Sequence, residues 1–147
     1  MLAEIPCGLD QIRATFGSLI DVPKNLITFP LPYPMLYGTT AVRRATCHRL
    51  AEDHFVGALK AIDEAGLSSL CLRYGGIYAN RVMRGGRHPS THAWGIAIDL
   101  ESERYPLDSE NRFPDAVVEI FRQWGFFYGG DFKHRADPMH FQLAEGY

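Results

Sequence analysis

The sequence predicts an α+β fold, with helices packed on a small, mainly antiparallel sheet. Two observations carry that expectation. Apolar residues recur at helical spacing early in the chain, and short apolar runs bounded by glycine cluster later. The 147 residues, 46% hydrophobic and 22% charged, are also the size and composition of one ordinary globular domain. The expected division puts N-terminal helices and a proline-rich arm in residues 1–67 and the sheet in residues 68–147 of that domain. No internal repeat or low-complexity segment interrupts it.

Leu9, Ile12 and Phe16 share one helical face, and Gly17 supplies the stop. Residues 22–38 hold Pro23, Pro30, Pro32 and Pro34 among apolar neighbours, which predicts an extended arm rather than a regular element. Thr39 or Thr40 is placed to cap a long helix whose apolar face runs Val42, Ala45, Leu50, Phe55, Leu59 and Ile62, with Gly66 ending it. Residues 68–74 read as a buried strand, bent by Gly75-Gly76. Ile96, Ile98 and Leu100 define a second strand on which Asp99 points the opposite way. Pro114 opens a third helix with Val117, Ile120, Phe121 and Trp124 on one face, closed by Gly125. A strand over residues 125–128, a Gly129-Gly130-Asp131 turn and a last strand through Phe141 and Leu143 complete the order.

A formal net charge of -2 removes any bulk electrostatic case for a nucleic-acid or membrane partner. The local basic residues Arg43, Arg44 and Arg49 make nucleic-acid binding the weakest of the readings. Three cysteines, Cys7, Cys47 and Cys71, cannot all pair within one chain and lack the Cys-x-x-Cys spacing of a zinc knuckle. They read as small hydrophobes in a reducing compartment, with Cys71 inside a strand. No apolar run reaches membrane-spanning length, and no basic segment leads into an apolar stretch as in a signal peptide. A monomer made in the cytoplasm is the expectation.

Chemistry concentrates in two places. One is Ser90-Thr91-His92-Ala93-Trp94-Gly95-Ile96-Ala97-Ile98-Asp99; the other is Asp137-Pro138-Met139-His140-Phe141. Together they offer two imidazoles and a carboxylate as metal ligands and leave one carboxylate over, the set a catalytic zinc centre needs. His88 and His92 are four apart, but Gly85-Gly86, Pro89 and Gly95 crowd that segment, so a helical ligand pair is rejected. His134 follows a turn and competes with His140 for a ligand position. His48 and His54 fall on the long predicted helix as solvated or partly buried histidines. Taken singly each histidine has a structural explanation; the joint pattern does not.

The order Ser90-x-His92-x-x-Gly95-x-Ala97-x-Asp99, Gly129-Gly130-Asp131 and Asp137-x-x-His140-Phe141 resembles the zinc D-alanyl-D-alanine carboxypeptidases. The same family holds the phage L-alanyl-D-glutamate endopeptidases used as lysins. The resemblance covers residues 73–143. It implies a Zn2+ ion on His92, Asp99 and His140, with Asp137 as catalytic base where many relatives carry glutamate. Arg81 is the first choice for the arginine that steadies the oxyanion and Arg73 the second, while Ser90 either bonds the substrate backbone or shapes its loop. The loop of Arg84, Arg87 and His88 is a candidate for attracting a substrate carboxylate. Many relatives have tryptophan where this chain has Tyr128, a change expected in packing or the groove wall.

The implied activity is hydrolysis of a peptide bond in bacterial peptidoglycan stem peptides. An L-alanyl-D-glutamate endopeptidase of lysin type is preferred to a D,D-carboxypeptidase, and both to a non-catalytic zinc-binding module. Such a protein would reach the cell wall after release of the cell contents or by assisted export.

Overall fold

The computed structural model describes residues 2–83 and 86–147. The first helix, α1 (Gly8–Phe16), buries Ile12 and Phe16, and Gly17 stops it at φ 90°. The next segment departs from expectation. Residues 22–38 do not form an irregular arm; Leu26–Tyr37 is a strand, β1, paired antiparallel with β2 (Thr40–His48). Phe29, Leu31, Tyr33 and Met35 alternate inward, which leaves Pro30, Pro32 and Pro34 together on the other face. A two-stranded sheet has only edges, so prolines that donate nothing are tolerated there, and the register shifts between Pro30 and Met35. Gly38, at φ 61°, begins the two-residue turn between Tyr37 and Thr40.

The long helix is correspondingly shorter than its sequence pattern. Thr39 and Thr40 do not cap it; Val42 and Ala45 lie on β2, and α2 runs only over Glu52–Glu64, burying Phe55, Leu59 and Ile62. His48 ends β2, and its Nδ1 accepts the Leu50 N–H at 3.1 Å, capping the 3-10 turn that leads into α2. The Val42–Ala45 spacing fits either period, and Thr40, Val42 and Thr46 favour the strand.

Residues 68–74 are likewise not one strand. Ser68–Leu70 is a 3-10 turn, buried Cys71 follows it, and only Tyr74–Gly76 (β3) joins a sheet. The Leu72 and Arg73 amides are taken by the Glu101 carboxylate at 2.9 and 2.6 Å instead of by a ladder. Glu101 reaches them because it leaves β4 in the left-handed region, at φ 54°.

The second sheet has the order β3-β4-β6-β5, every pairing antiparallel, with β4 (Ala97–Leu100), β5 (Phe127–Tyr128) and β6 (His140–Gln142). The third helix, α3 (Asp115–Gln123), follows Pro114 and turns Val117, Val118 and Phe121 onto this sheet. Phe121 stacks on Phe141 of β6 at 4.1 Å and meets Phe126 edge-on at 5.4 Å. One hydrophobic cluster joins both sheets and all three helices, from Ile12 through Phe29, Leu59 and Phe121 to Phe141. The architecture is α+β with two small antiparallel sheets.

Phe121 is fully buried between α3 and the sheet. Phe121→Ala is expected to cost about 3–5 kcal/mol of stability. The midpoint of urea unfolding checks it, and an unchanged midpoint would show that this contact does not hold α3 in place.

Candidate metal centre

The site is built on the two central strands of the second sheet. Asp99 of β4 and His140 of β6 are directly paired across the ladder, so the side chains of both leave the same face. His92 arrives from the 3-10 turn Thr91–Trp94, which Gly95 ends in the left-handed region at φ 71°. A Cβ on Gly95 would also stand 2.8 Å from the His48 amide, which donates to the Gly95 carbonyl at 3.0 Å. Glycine is required there on both counts. Ser90 caps the turn, its Oγ accepting the His92 N–H at 3.2 Å.

The three side chains converge. His92 Nε2 lies 3.2 Å from Asp99 Oδ2, and His140 Nδ1 lies 3.0 Å from Asp99 Oδ1. One ligand atom from each residue falls within 4.8 Å of the others, and all three residues are buried. His92 Nδ1 stands 2.7 Å from the Ile77 carbonyl, an acceptor only, so that nitrogen carries the proton. Its Nε2 is then a lone pair, buried, with no hydrogen-bond partner among the described residues. His140 Nε2 faces Gln142 Oε1 at 2.8 Å and Thr91 Oγ1 at 3.3 Å.

Lone pairs of neutral imidazoles facing a carboxylate repel unless a cation lies between them. Burial pushes the Asp99 carboxyl up, but the His140 and His92 rings beside it outweigh that and hold Asp99 well below the usual carboxylate range. Burial pushes His140 down, but Asp99, followed by the charge of Asp137, raises it above its ordinary value. Nitrogen and oxygen ligands about 2.0–2.2 Å from a tetrahedral zinc stand roughly 3.3–3.6 Å apart. His92 and His140 each approach one Asp99 oxygen about that closely, and one ligand atom of all three falls within 4.8 Å of the others, so the donor set can gather around one such ion.

Asp137 is placed by its backbone. Its N–H donates to the Gly129 carbonyl at 2.8 Å, and its own carbonyl accepts the His140 N–H at 3.0 Å. Its Oδ2 lies 3.8 Å from His140 Nδ1. The Tyr128 hydroxyl donates to the Pro138 carbonyl at 2.8 Å while accepting the Phe113 N–H at 3.0 Å. Tyr128 therefore pins the turn that carries Asp137.

The group opens into a cavity of about 680 Å³. Leu107, Phe127, Phe132 and Met139 supply apolar wall, Phe127 and Phe132 stacking at 5.7 Å, and Arg81, Lys133 and Arg135 supply cationic wall. Arg81 and Ser90 line this cavity, whereas Arg73, Arg87 and His88 do not. Arg73 is exposed, its main chain bound to Glu101. Arg84 lies outside the described residues. His134 is exposed on the cavity wall and stands apart from the His92–Asp99–His140 group.

His48 and His54 are buried, not solvated, and both ring nitrogens of each bond main-chain atoms. His48 contacts the Phe16 carbonyl and Leu50 N–H, and His54 the Trp124 carbonyl and Ala3 N–H. Thr91, Gln142 and the Ile77 carbonyl have no counterpart in the sequence expectations. Only Gln142 left a readable signal: it follows His140 by two, which puts both on one face of a strand.

Residues 84–143 match the family model described as D-alanyl-D-alanine carboxypeptidase, a stretch that contains His92, Asp99, Asp137 and His140. No curated protein matches the chain. No helix among the described residues is long and apolar enough to cross a membrane.

Two substitutions test the geometry. His92→Ala is expected to strip zinc from the dialysed protein, and an unchanged metal content would place the ligands elsewhere. In Gly129→Ala the new Cβ would meet the Asp137 carbonyl oxygen, with His140 Cβ 3.0 Å away. That overpacking should cost about 1–3 kcal/mol and weaken zinc binding, measured by urea titration and chelator competition.

Proposed function

We propose that this chain is a zinc-dependent peptidase that hydrolyses a peptide bond in the stem peptides of bacterial peptidoglycan. The observation that carries the reading is the convergence of His92, Asp99 and His140 on one point, with the Asp137 carboxylate 3.8 Å from the ion-facing nitrogen of His140. The peptidoglycan substrate rests on the family match alone.

Zinc held by these residues supplies Lewis acidity, polarising a carbonyl and lowering the pKa of water from about 15.7 towards 7. The rest belongs to the chain. Asp137 takes the proton of the attacking water on its carboxylate and passes it to the leaving amine, a role worth about 10²–10⁴-fold. Arg81, on the cavity wall, is the candidate to face the developing oxyanion. The Ser90 Oγ is committed to the His92 amide, which favours loop shaping over substrate binding. The stacked Phe127 and Phe132 rings offer apolar contact to a peptide.

The finer reading is an L-alanyl-D-glutamate endopeptidase of lysin type, acting after release or assisted export. A D-alanyl-D-alanine carboxypeptidase is the second reading, favoured by the description of the matching family. Purified cell wall incubated with zinc-loaded protein, followed by mass analysis of the fragments, separates them by the bond cut. Chelation should abolish cutting and added zinc restore it. Asp137→Ala is expected to lower turnover at least about 10²-fold with zinc content unchanged. Full turnover by that variant would remove Asp137 from its role, and intact wall in every sample would remove the substrate class.

A further inference from the structure

Gln142 sits two residues beyond His140 on β6, opposite Ala97, and is 2% exposed. Its Oε1 is 3.0 Å from the Thr91 hydroxyl, which donates to it, and 2.8 Å from His140 Nε2. Its Nε2 donates to the Ala144 carbonyl at 3.1 Å and to the main-chain oxygen of Tyr147 at 3.2 Å. Both N–H groups and both lone pairs of the amide are thus used.

The Ala144 and Tyr147 oxygens decide which way the amide faces. Rotated by half a turn, Gln142 would oppose its oxygen to two main-chain oxygens and take their donor away, a mismatch that is buried at Ala144 and part-buried at Tyr147. The observed orientation turns Oε1, an acceptor, towards His140. His140 Nε2 must then carry a proton, so the neutral ring that binds a metal ion has its lone pair on Nδ1, 3.0 Å from Asp99 Oδ1.

The rotated amide would permit the opposite arrangement. Its N–H groups would donate to His140 Nε2, Nδ1 would hold the proton, and that proton would satisfy Asp99 directly. Such a state closes the site against a metal ion. The two oxygens at Ala144 and Tyr147 exclude it.

We infer that Gln142 is a positioning residue whose amide, oriented by the main-chain oxygens of Ala144 and Tyr147, fixes the tautomer of His140 that leaves Nδ1 open to a metal ion. The inference rests on the metal-binding part of the proposed function and not on its substrate. A partner that hydrogen-bonds the far ring nitrogen of a metal-ligating histidine typically governs affinity by about 10- to 100-fold.

The test is zinc affinity by chelator competition in the wild type, Gln142→Leu, Gln142→Glu and Thr91→Val, with nitrogen NMR of the histidine rings in the zinc-loaded protein. Gln142→Leu should bind zinc about 10- to 100-fold more weakly. Gln142→Glu keeps an accepting oxygen on Nε2 whichever way it faces, so it should bind within a few-fold of wild type while losing thermal stability at the Ala144 and Tyr147 end. Thr91→Val leaves the accepting oxygen in place and should cost less than Gln142→Leu. In the wild type the ring spectrum should show His140 protonated on Nε2.

Unchanged zinc affinity in Gln142→Leu, or an equal loss in Gln142→Glu, would overturn the inference. So would a wild-type spectrum with zinc on Nε2 of His140, which can be read even if Gln142→Leu does not fold. Tight zinc binding without cell-wall cleavage would sink the proposed substrate and leave this inference standing; absence of zinc binding in the wild type would sink both.

Discussion

The Asp99 carboxylate, buried between two imidazoles at 3.0 and 3.2 Å, is the constraint around which the second sheet is arranged. A buried carboxylate with only lone pairs facing it is costly, and a positive charge in its midst would offset that cost. Asp99 can occupy a strand centre because β4 is buried at every position and flanked by β3 and β6. The same burial that makes the charge expensive also keeps water from competing for it. The fold itself brings the three side chains together, so a cation entering among them would meet an assembled set of donors.

Rigidity comes from the outer bonds of those ligands. The Ile77 carbonyl sets one histidine and the Gln142 amide the other. Both partners are themselves fixed. Ile77 is buried beside β3, and Gln142 is held at both ends of its amide. Neither histidine therefore depends on a flexible loop for its orientation, which is the arrangement that gives sites on strands their accuracy. Ala144 and Tyr147 support the candidate metal centre in this sense, through the Gln142 amide.

Much of this was legible in the sequence, and the failures have a common cause. His92, Asp99, Asp137 and His140 stand out because few structural demands place two histidines and two aspartates beside glycines and a proline in that order. α3 and its buried Phe121 follow from a single unbroken period. The stretch 22–48 departs from its sequence expectation because Pro30, Pro32 and Pro34 suggest an irregular arm, yet their even spacing also matches the outward face of a strand. Val42 and Ala45 satisfied a helical spacing that β2 overrode once Phe29 and Ala45 could pair across the hairpin. The role of Glu101 could not be read at all, since its bonds to Leu72 and Arg73 cross nearly thirty residues and depend on a single left-handed backbone angle.

Asp137 shows how a shorter side chain changes what the rest of the site must do. Aspartate has one methylene less than glutamate and fewer rotamers, so it cannot search for its position; the backbone must deliver it. Three contacts do so: the Gly129 carbonyl on its N–H, the His140 amide on its carbonyl, and the Tyr128 hydroxyl on the next carbonyl. Gly129 is part of this delivery, because any Cβ there would occupy the space of the Asp137 carbonyl. Tyr128 contributes through its hydroxyl, which reaches both Pro138 and Phe113 and so ties the turn to the loop before α3. The Tyr128 hydroxyl thus fastens the turn that carries the Asp137 carboxylate to within 3.8 Å of His140.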